Sequence, residues 1–307
     1  MSELTAPKPE PDTAQSSLWK DAFRTMRRRP DVIIASLIML FVFTMAAFPT
    51  LFTDKSPTRC IGSDARERPD TWFTGEHPLG TDQFGCDFAA TLVHGTRPTI
   101  TLALSVMIVA VLIGMVTGIL AGYYGGVIDA IISRAVDVFI VVPLMLGAIL
   151  LLSLFRGRGA PDNLFETVAP PAIALAIFGW MEFTRYTRAA TIETKNLDYV
   201  TAARCLGAKD RRIMFKHILP NAIIPVTAVI PTTLGSIIVA ESALAVLGIG
   251  VQPPATSWGV LLSNGTQWAA GGYIYLFGIP LLLLILTVFS FATFGDALRD
   301  ALDPKLR

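Results

Sequence analysis

Few side chains in this 307-residue chain are set out for covalent chemistry. Its three histidines, His77, His94 and His217, are scattered, and none stands in an HExxH or similar ligand spacing, so no metal site is expected. No Gly-Lys dipeptide occurs, which removes a phosphate-binding loop of the Walker kind and, with it, ATP hydrolysis by this chain. Spacing sets out no nucleophile–base pair either, which argues against an enzyme. The groups left for charge handling or contact are Glu241, the cluster Asp129, Arg134 and Asp137, the cysteine pair Cys60 and Cys86, and one cation-rich stretch, Asn196–Asn221.

That stretch reads NLDYVTAARCLGAKDRRIMFKHILPN. Tyr199, Val200, Ala203 and Leu206 recur at three- and four-residue spacing, which predicts a short amphipathic helix over Leu197–Leu206. Gly207 suits a left-handed C-terminal turn. A second short helix is predicted over Lys209–Leu219, with Ile213, Met214, His217 and Ile218 on one side and Lys209, Arg211, Arg212 and Lys216 around it. Pro220 is expected to stop it and begin the next apolar run. Taken alone, the charges fit a basic loop held at a membrane border as well as they fit a docking segment.

The elements that must position these residues are apolar. Hydrophobic residues make up 52% of the chain and charged ones 16%, against roughly 25% charged in soluble domains; mean hydropathy is +0.56. After a Pro/Ser/Thr-rich tail, Met1–Ser17, expected to be disordered, a basic amphipathic segment, Leu18–Arg29, carries Leu18, Trp19, Ala22, Phe23 and Met26 on one face and suits the inner membrane surface. No cleavable signal pattern precedes the first apolar run. Apolar spans are predicted at Val32–Phe52, from Pro98 to the Gly122–Gly126 turn, from there to Phe155 with an interruption at Pro143, at Phe165–Tyr186, at Asn221–Gly248 and at Tyr273–Phe294. Between them lie a polar loop over Thr53–Arg97, a Gly/Pro loop over Arg156–Asp162 and a polar loop over Gly250–Gly272. With both ends cytoplasmic, the inner segments hold 18 Lys and Arg and the outer loops 7, as the positive-inside rule requires. The basic residues cluster at membrane borders, which argues against nucleic-acid binding.

Within that frame Cys60 and Cys86 share one outer loop, where a bridge and two free thiols are both open readings, and Cys205 is a small packing residue in the reducing cytoplasm. Arg134 and Asp137 are three apart and suit pairing across a helix turn. Glu241 lies inside the fifth span; it either faces a pathway or a partner, or is an interfacial glutamate held by hydrogen bonds.

Four separated motifs resemble one family, the ABC-importer permeases of the dipeptide/oligopeptide (OppC- and DppC-like) type. They are His77-Pro78-Leu79-Gly80-Thr81-Asp82 with Gly85 and Asp87; Gly122-Tyr123-Tyr124-Gly125-Gly126 with Asp129, Arg134 and Asp137; the stretch with Ala202, Ala203, Gly207, Leu219 and Pro220; and Gln252-Pro253-Pro254 with Ser257-Trp258-Gly259. The chain departs from the pattern at Thr201, where an acidic residue is usual, and at Cys86, where an arginine is usual. The resemblance implies an all-α integral membrane protein with six transmembrane helices, the type I ABC importer (MetI-like) permease fold. It implies an ATPase-coupling segment over residues 196–221, carried by Ala202, Ala203, Arg204, Gly207, Ala208, Asp210, Leu219 and Pro220. It divides the chain into a cytoplasmic tail (1–29), a first helix with its outer loop (30–97), a transmembrane core (98–296) and a cytoplasmic C-terminal tail (297–307). The implied partners are a second, homologous permease subunit, two ATPase subunits or domains that hold ATP and Mg, an extracytoplasmic solute-binding protein and the lipid of a bacterial cytoplasmic membrane. No cofactor is expected on this chain. Nickel or haem as cargo fits the same motifs. A secondary transporter, which would show paired membrane carboxylates or an internal repeat, and a stand-alone channel remain as other classes.

Overall fold

The computed structural model describes residues 18–69, 76–155 and 163–302; the predicted tail Met1–Ser17 and the loop Arg156–Asp162 lie outside them. Helices dominate: α1 (Leu18–Met26), α2 (Pro30–Ala47), α3 (Phe88–Tyr124), α4 (Gly126–Val141), α5 (Leu144–Ser153), α6 (Leu164–Lys195), α7 (Asp198–Cys205), α8 (Asp210–Ile213), α9 (Leu219–Val246), α10 (Trp258–Ala269) and α11 (Tyr275–Leu302). Helices α2, α3, α6, α9 and α11 are each long and apolar enough to cross a membrane. A sixth span is broken: α4 and α5 meet at 87°. The break falls at Val142–Pro143, where proline forces the preceding residue out of the helical region, and Val142 is extended at φ −75°, ψ 118°.

The tightest packing joins α3 and α6. A Cβ on Gly118 would lie 2.6 Å from Thr187 Cβ and 2.7 Å from the Thr184 carbonyl oxygen, and one on Gly122 would lie 2.7 Å from Thr191 Cβ. Gly114 meets the Trp180–Thr184 backbone in the same way. Glycines every fourth residue let the two backbones approach closely, as small residues do between membrane helices. The face that α6 turns to α3 carries buried threonines, Thr184, Thr187 and Thr191.

Three features differ from the sequence expectation. Helix α3 begins at Phe88, ten residues before Pro98, because the Asp87 carboxylate caps it by accepting from the Ala90 amide at 2.8 Å and Pro98 is carried inside the helix. The polar loop Gly250–Gly272 contains α10, whose first residue, Trp258, is fully buried. Pro220 does not stop a helix. A four-residue turn, α8, widens into a π-helical turn over Met214–Ile218, in which the Leu219 amide donates to the Met214 carbonyl five residues back. That wide turn feeds straight into α9. Pro220 has no N–H for the Lys216 carbonyl and its ring would clash there in a regular helix; the wider turn removes the conflict.

Candidate functional site

The Ala202–Ala208 segment ends α7 by backbone geometry. The Gly207 amide donates to the Arg204 carbonyl at 3.0 Å and the Ala208 amide to the Ala203 carbonyl at 3.1 Å, with Gly207 at φ +78°. This is the paired C-terminal bonding pattern in which the residue after the cap must adopt a left-handed conformation, hence glycine. Val200, Ile213, Met214, Ile218 and half-buried Ala208 turn inward onto Ile119 and Tyr123 of α3, Ala190 of α6 and Ala222 of α9. The segment is therefore seated on three spans at once. Outward, Leu206 is 88% exposed and Phe215 61%. The face predicted for α7 is corrected accordingly: of Tyr199, Val200, Ala203 and Leu206, only Val200 is fully buried, because the left-handed turn rolls Leu206 away from the helix.

Polar contacts lock this seat. The Tyr123 hydroxyl donates to Asp210 Oδ1 at 2.6 Å, and Arg204 stands 6.0 Å from the Tyr123 ring centroid. Lys195 Nζ donates to the Gly122 carbonyl at 2.7 Å, capping the end of α3. Asn221 Nδ2 donates to the Tyr199 hydroxyl at 2.8 Å and to the His217 carbonyl at 2.9 Å. Leu219 is half-buried and Pro220 exposed, so neither carries the seat.

Asp129 belongs to the same end of the bundle but not with Arg134. Arg188 of α6 donates to both of its carboxylate oxygens, at 2.5 and 2.6 Å, a fork geometry that fixes orientation as well as charge. Arg134 and Asp137 approach to 3.8 Å and Arg185 and Asp137 to 3.7 Å, all well exposed; such pairs contribute little.

Glu241 lies at a helix junction. It is fully buried and accepts from the Ser257 hydroxyl at 2.6 Å through Oε1, while Oε2 has no hydrogen-bond partner among the described residues. A Cβ on Gly259 would fall 2.6 Å from Ser242 Cα, so Gly259 lets α10 press against α9 beside the carboxyl group. Trp258 then pins α10 to α3, its amide donating to Thr99 Oγ1 at 3.1 Å and its indole to Thr96 Oγ1 at 3.1 Å. Ser257-Trp258-Gly259 is thus a wedge between α3 and α9.

On the outer side Cys60 and Cys86 are joined by a disulfide that closes a loop of 26 residues. Asp87 Oδ2 takes bonds from Lys55 Nζ and His77 Nδ1, both at 2.9 Å. Burial pushes the Asp87 carboxyl up, yet the Ala90 amide, Lys55 and His77 outweigh it and hold the group below the ordinary aspartate range. The Thr81 hydroxyl donates to the Asp64 carbonyl and accepts from the Glu67 amide, and the Tyr275 hydroxyl on α11 donates to the Thr81 carbonyl at 2.9 Å. The His77–Asp87 motif is a knot that ties the outer loop to α3 and α11.

Residues 114–307 match the sequence pattern of the family described as binding-protein-dependent transport system inner membrane component. The chain belongs to this family. It is 35% identical over 293 residues, 95% of this chain and 91% of the relative, to the oligopeptide transport system permease protein OppC of Bacillus subtilis. It is 34% identical over 314 residues, the full length of both, to the dipeptide transport system permease protein DppC of Escherichia coli K12. The fold is similar to a chain of the MetNI methionine ABC transporter in an inward-facing form, with a TM-score of 0.54 at 20% identity, covering 69% of this chain and 96% of that one. The architecture is that of an ABC importer permease, a multi-pass membrane protein with six spans. As an inner membrane component it works with a solute-binding protein and an ATPase.

In this permease the structure brings together Ala203, Arg204, Gly207, Ala208 and Asp210 on one seat and leaves Arg134 and Asp137 apart from it. Sequence reasoning missed Arg188 and Tyr123 as partners, 59 and 87 residues from Asp129 and Asp210. The one signal for Tyr123 was its place in the Gly122–Gly126 motif; Arg188 carried none beyond its charge.

Proposed function

We propose that this chain forms, with a second homologous permease, the translocation pathway of an ATP-driven importer of dipeptides or oligopeptides. ATP and Mg reside on two partner ATPase subunits or domains, this chain performs no catalysis, and both its termini are cytoplasmic. The observation that carries the substrate class is the near full-length similarity to permeases named for oligopeptide and dipeptide transport. The coupling role rests on the seat around Gly207, which presents Leu206 and Phe215 outward while its inner face grips α3, α6 and α9.

The mechanism is mechanical. Closure of the ATPase pair pushes on α7 and the Gly207 turn. Val200, Ile213 and Ile218 pass the displacement to three spans, and the two permeases exchange inward and outward access. Arg204, next to the turn, steadies the seat through Tyr123, and Asp210 does so through the Tyr123 hydroxyl.

The test is co-purification of the tagged chain in mild detergent together with peptide uptake, for the native chain and for Ala203→Asp. The native chain recovers a second permease and an ATPase, and the variant inserts normally but loses uptake. Recovery of the native chain alone, or normal uptake by Ala203→Asp, overturns the coupling assignment.

A further inference from the structure

The charged N-terminal helix does more than lie beside the bundle. Helix α1 docks by Ala22 and Met26, both buried, in a cluster with Val32 of α2 and Ala297, Ala301 and Leu302 of α11. The docking leaves a groove of about 410 Å³ between α1, α2 and α11. Ile33, Leu37 and Leu40 form its α2 wall, and Phe294 and Leu298 its α11 wall. The wall from Ile33 to Leu40 rises about 10 Å, the reach of several methylene groups. At the rim stands Arg27, with Arg24 one helical turn before it and Arg28 next in sequence. Arg29 is engaged by Asp31 and Asp300. Arg24, Arg27 and Arg28 form no ion pair among the described residues, and Arg27 lines the slot itself.

We propose that this groove is a binding site for an anionic phospholipid, with one acyl chain between α2 and α11 and the headgroup phosphate at Arg27. An amphipathic helix with arginines at its polar edge suits the headgroup boundary of an anionic leaflet. The groove is continuous with exposed, lipid-compatible side chains of α2, Ile34 and Phe41. Two other occupants fit less well. The segment Met1–Ser17 offers only Met1, Leu4 and two alanines as apolar groups, too few to line the slot. A second permease would fill an apolar groove but would leave the cationic rim unmatched. The inference goes beyond the importer reading and stands separately from it, since lipid retention is read without transport.

The test uses the full chain extracted with its partners in mild detergent and exchanged into mixtures of phosphatidylglycerol and phosphatidylcholine. Native mass spectrometry reads the lipids retained. Phosphatidylglycerol is expected to be retained preferentially, with the preference falling about fivefold in Arg27→Gln, as the loss of one arginine at a membrane surface implies. Equal retention of both lipids, or an unchanged preference in Arg27→Gln, overturns the proposal. A photoreactive residue at Leu37, 60% exposed, supplies a readout that does not depend on the arginine variant. Cross-linking to lipid supports the site; cross-linking to another permease or to the Met1–Ser17 segment overturns it.

Discussion

Replacement of Gly207 separates backbone conformation from side-chain size. Gly207 sits at φ +78°, and a Cβ added there meets no atom within 4 Å, so substitution brings no collision. The whole cost is conformational: about 1 to 2 kcal/mol for an ordinary L-residue in the left-handed region, and less for asparagine, which visits it readily. Alanine is expected near the lower end and valine, branched at Cβ, at or beyond the upper end. At about 1.4 kcal/mol per factor of ten, the native turn is depopulated several-fold in Gly207→Ala and more than tenfold in Gly207→Val relative to an opened turn. Gly207→Asn remains close to the native chain although asparagine is larger than alanine. The assay is peptide uptake by membrane vesicles, normalised to inserted chain. The predicted order of activity is glycine, asparagine, alanine, valine. An order that follows side-chain volume, with asparagine below alanine, or native uptake by Gly207→Val, would refute the assignment of this turn to coupling.

Other outcomes follow from the supports of that site. A double-mutant cycle on Arg188→Gln and Asp129→Asn is expected to give a coupling of about 1 kcal/mol in thermal unfolding, because the fork is well formed but partly exposed, 37% and 21%, and therefore screened. Zero coupling would show that the two side chains merely coincide. Opening the Cys60–Cys86 bridge in Cys60→Ser releases a closed loop of 26 residues, worth about 3 to 4 kcal/mol by chain entropy, and protease should then cut the outer loop at lower enzyme concentration. The knot at Asp87 depends on pH. Its carboxyl is held below the unfolded value, so its contribution is complete above about pH 4, the ordinary aspartate range, and is lost as pH falls through the lower folded value. Hydrogen exchange over residues 76–87 should accelerate below that point, and Asp87→Asn should be fast at every pH.

The spans were legible because a bilayer imposes length and polarity together, although Glu182 and Arg185 blur the cytoplasmic end of the fourth. The α7 turn was legible because a glycine after an amphipathic run has a narrow backbone meaning. Three things were hidden, each for a physical reason. Helix α10 lies in a stretch whose local polarity reads as loop. What makes it a buried helix is the bonding of Trp258 to Thr96 and Thr99, more than 150 residues away. Pro220 carries a strong stop signal, but the wide turn before it dissolves the clash on which that signal rests. Glu241 was open between a pathway and a structural role. Its bond to Ser257 and the pressure of Gly259 on α9 place it in the wedge, a relation that spacing along α9 cannot express.

The π-helical turn at Met214–Ile218 preserves the angular phase between the coupling segment and its span. A regular helix advances about 100° per residue, and the wide turn takes up one residue more than an α-turn in nearly the same rotation about the axis of α9. Removing a single residue inside it would restore an ordinary helix with Ile213 still toward Tyr123, but would set the Pro220 ring against a carbonyl again. The wide turn is thus a spacer that lets a proline enter α9 without changing the direction in which the coupling segment faces.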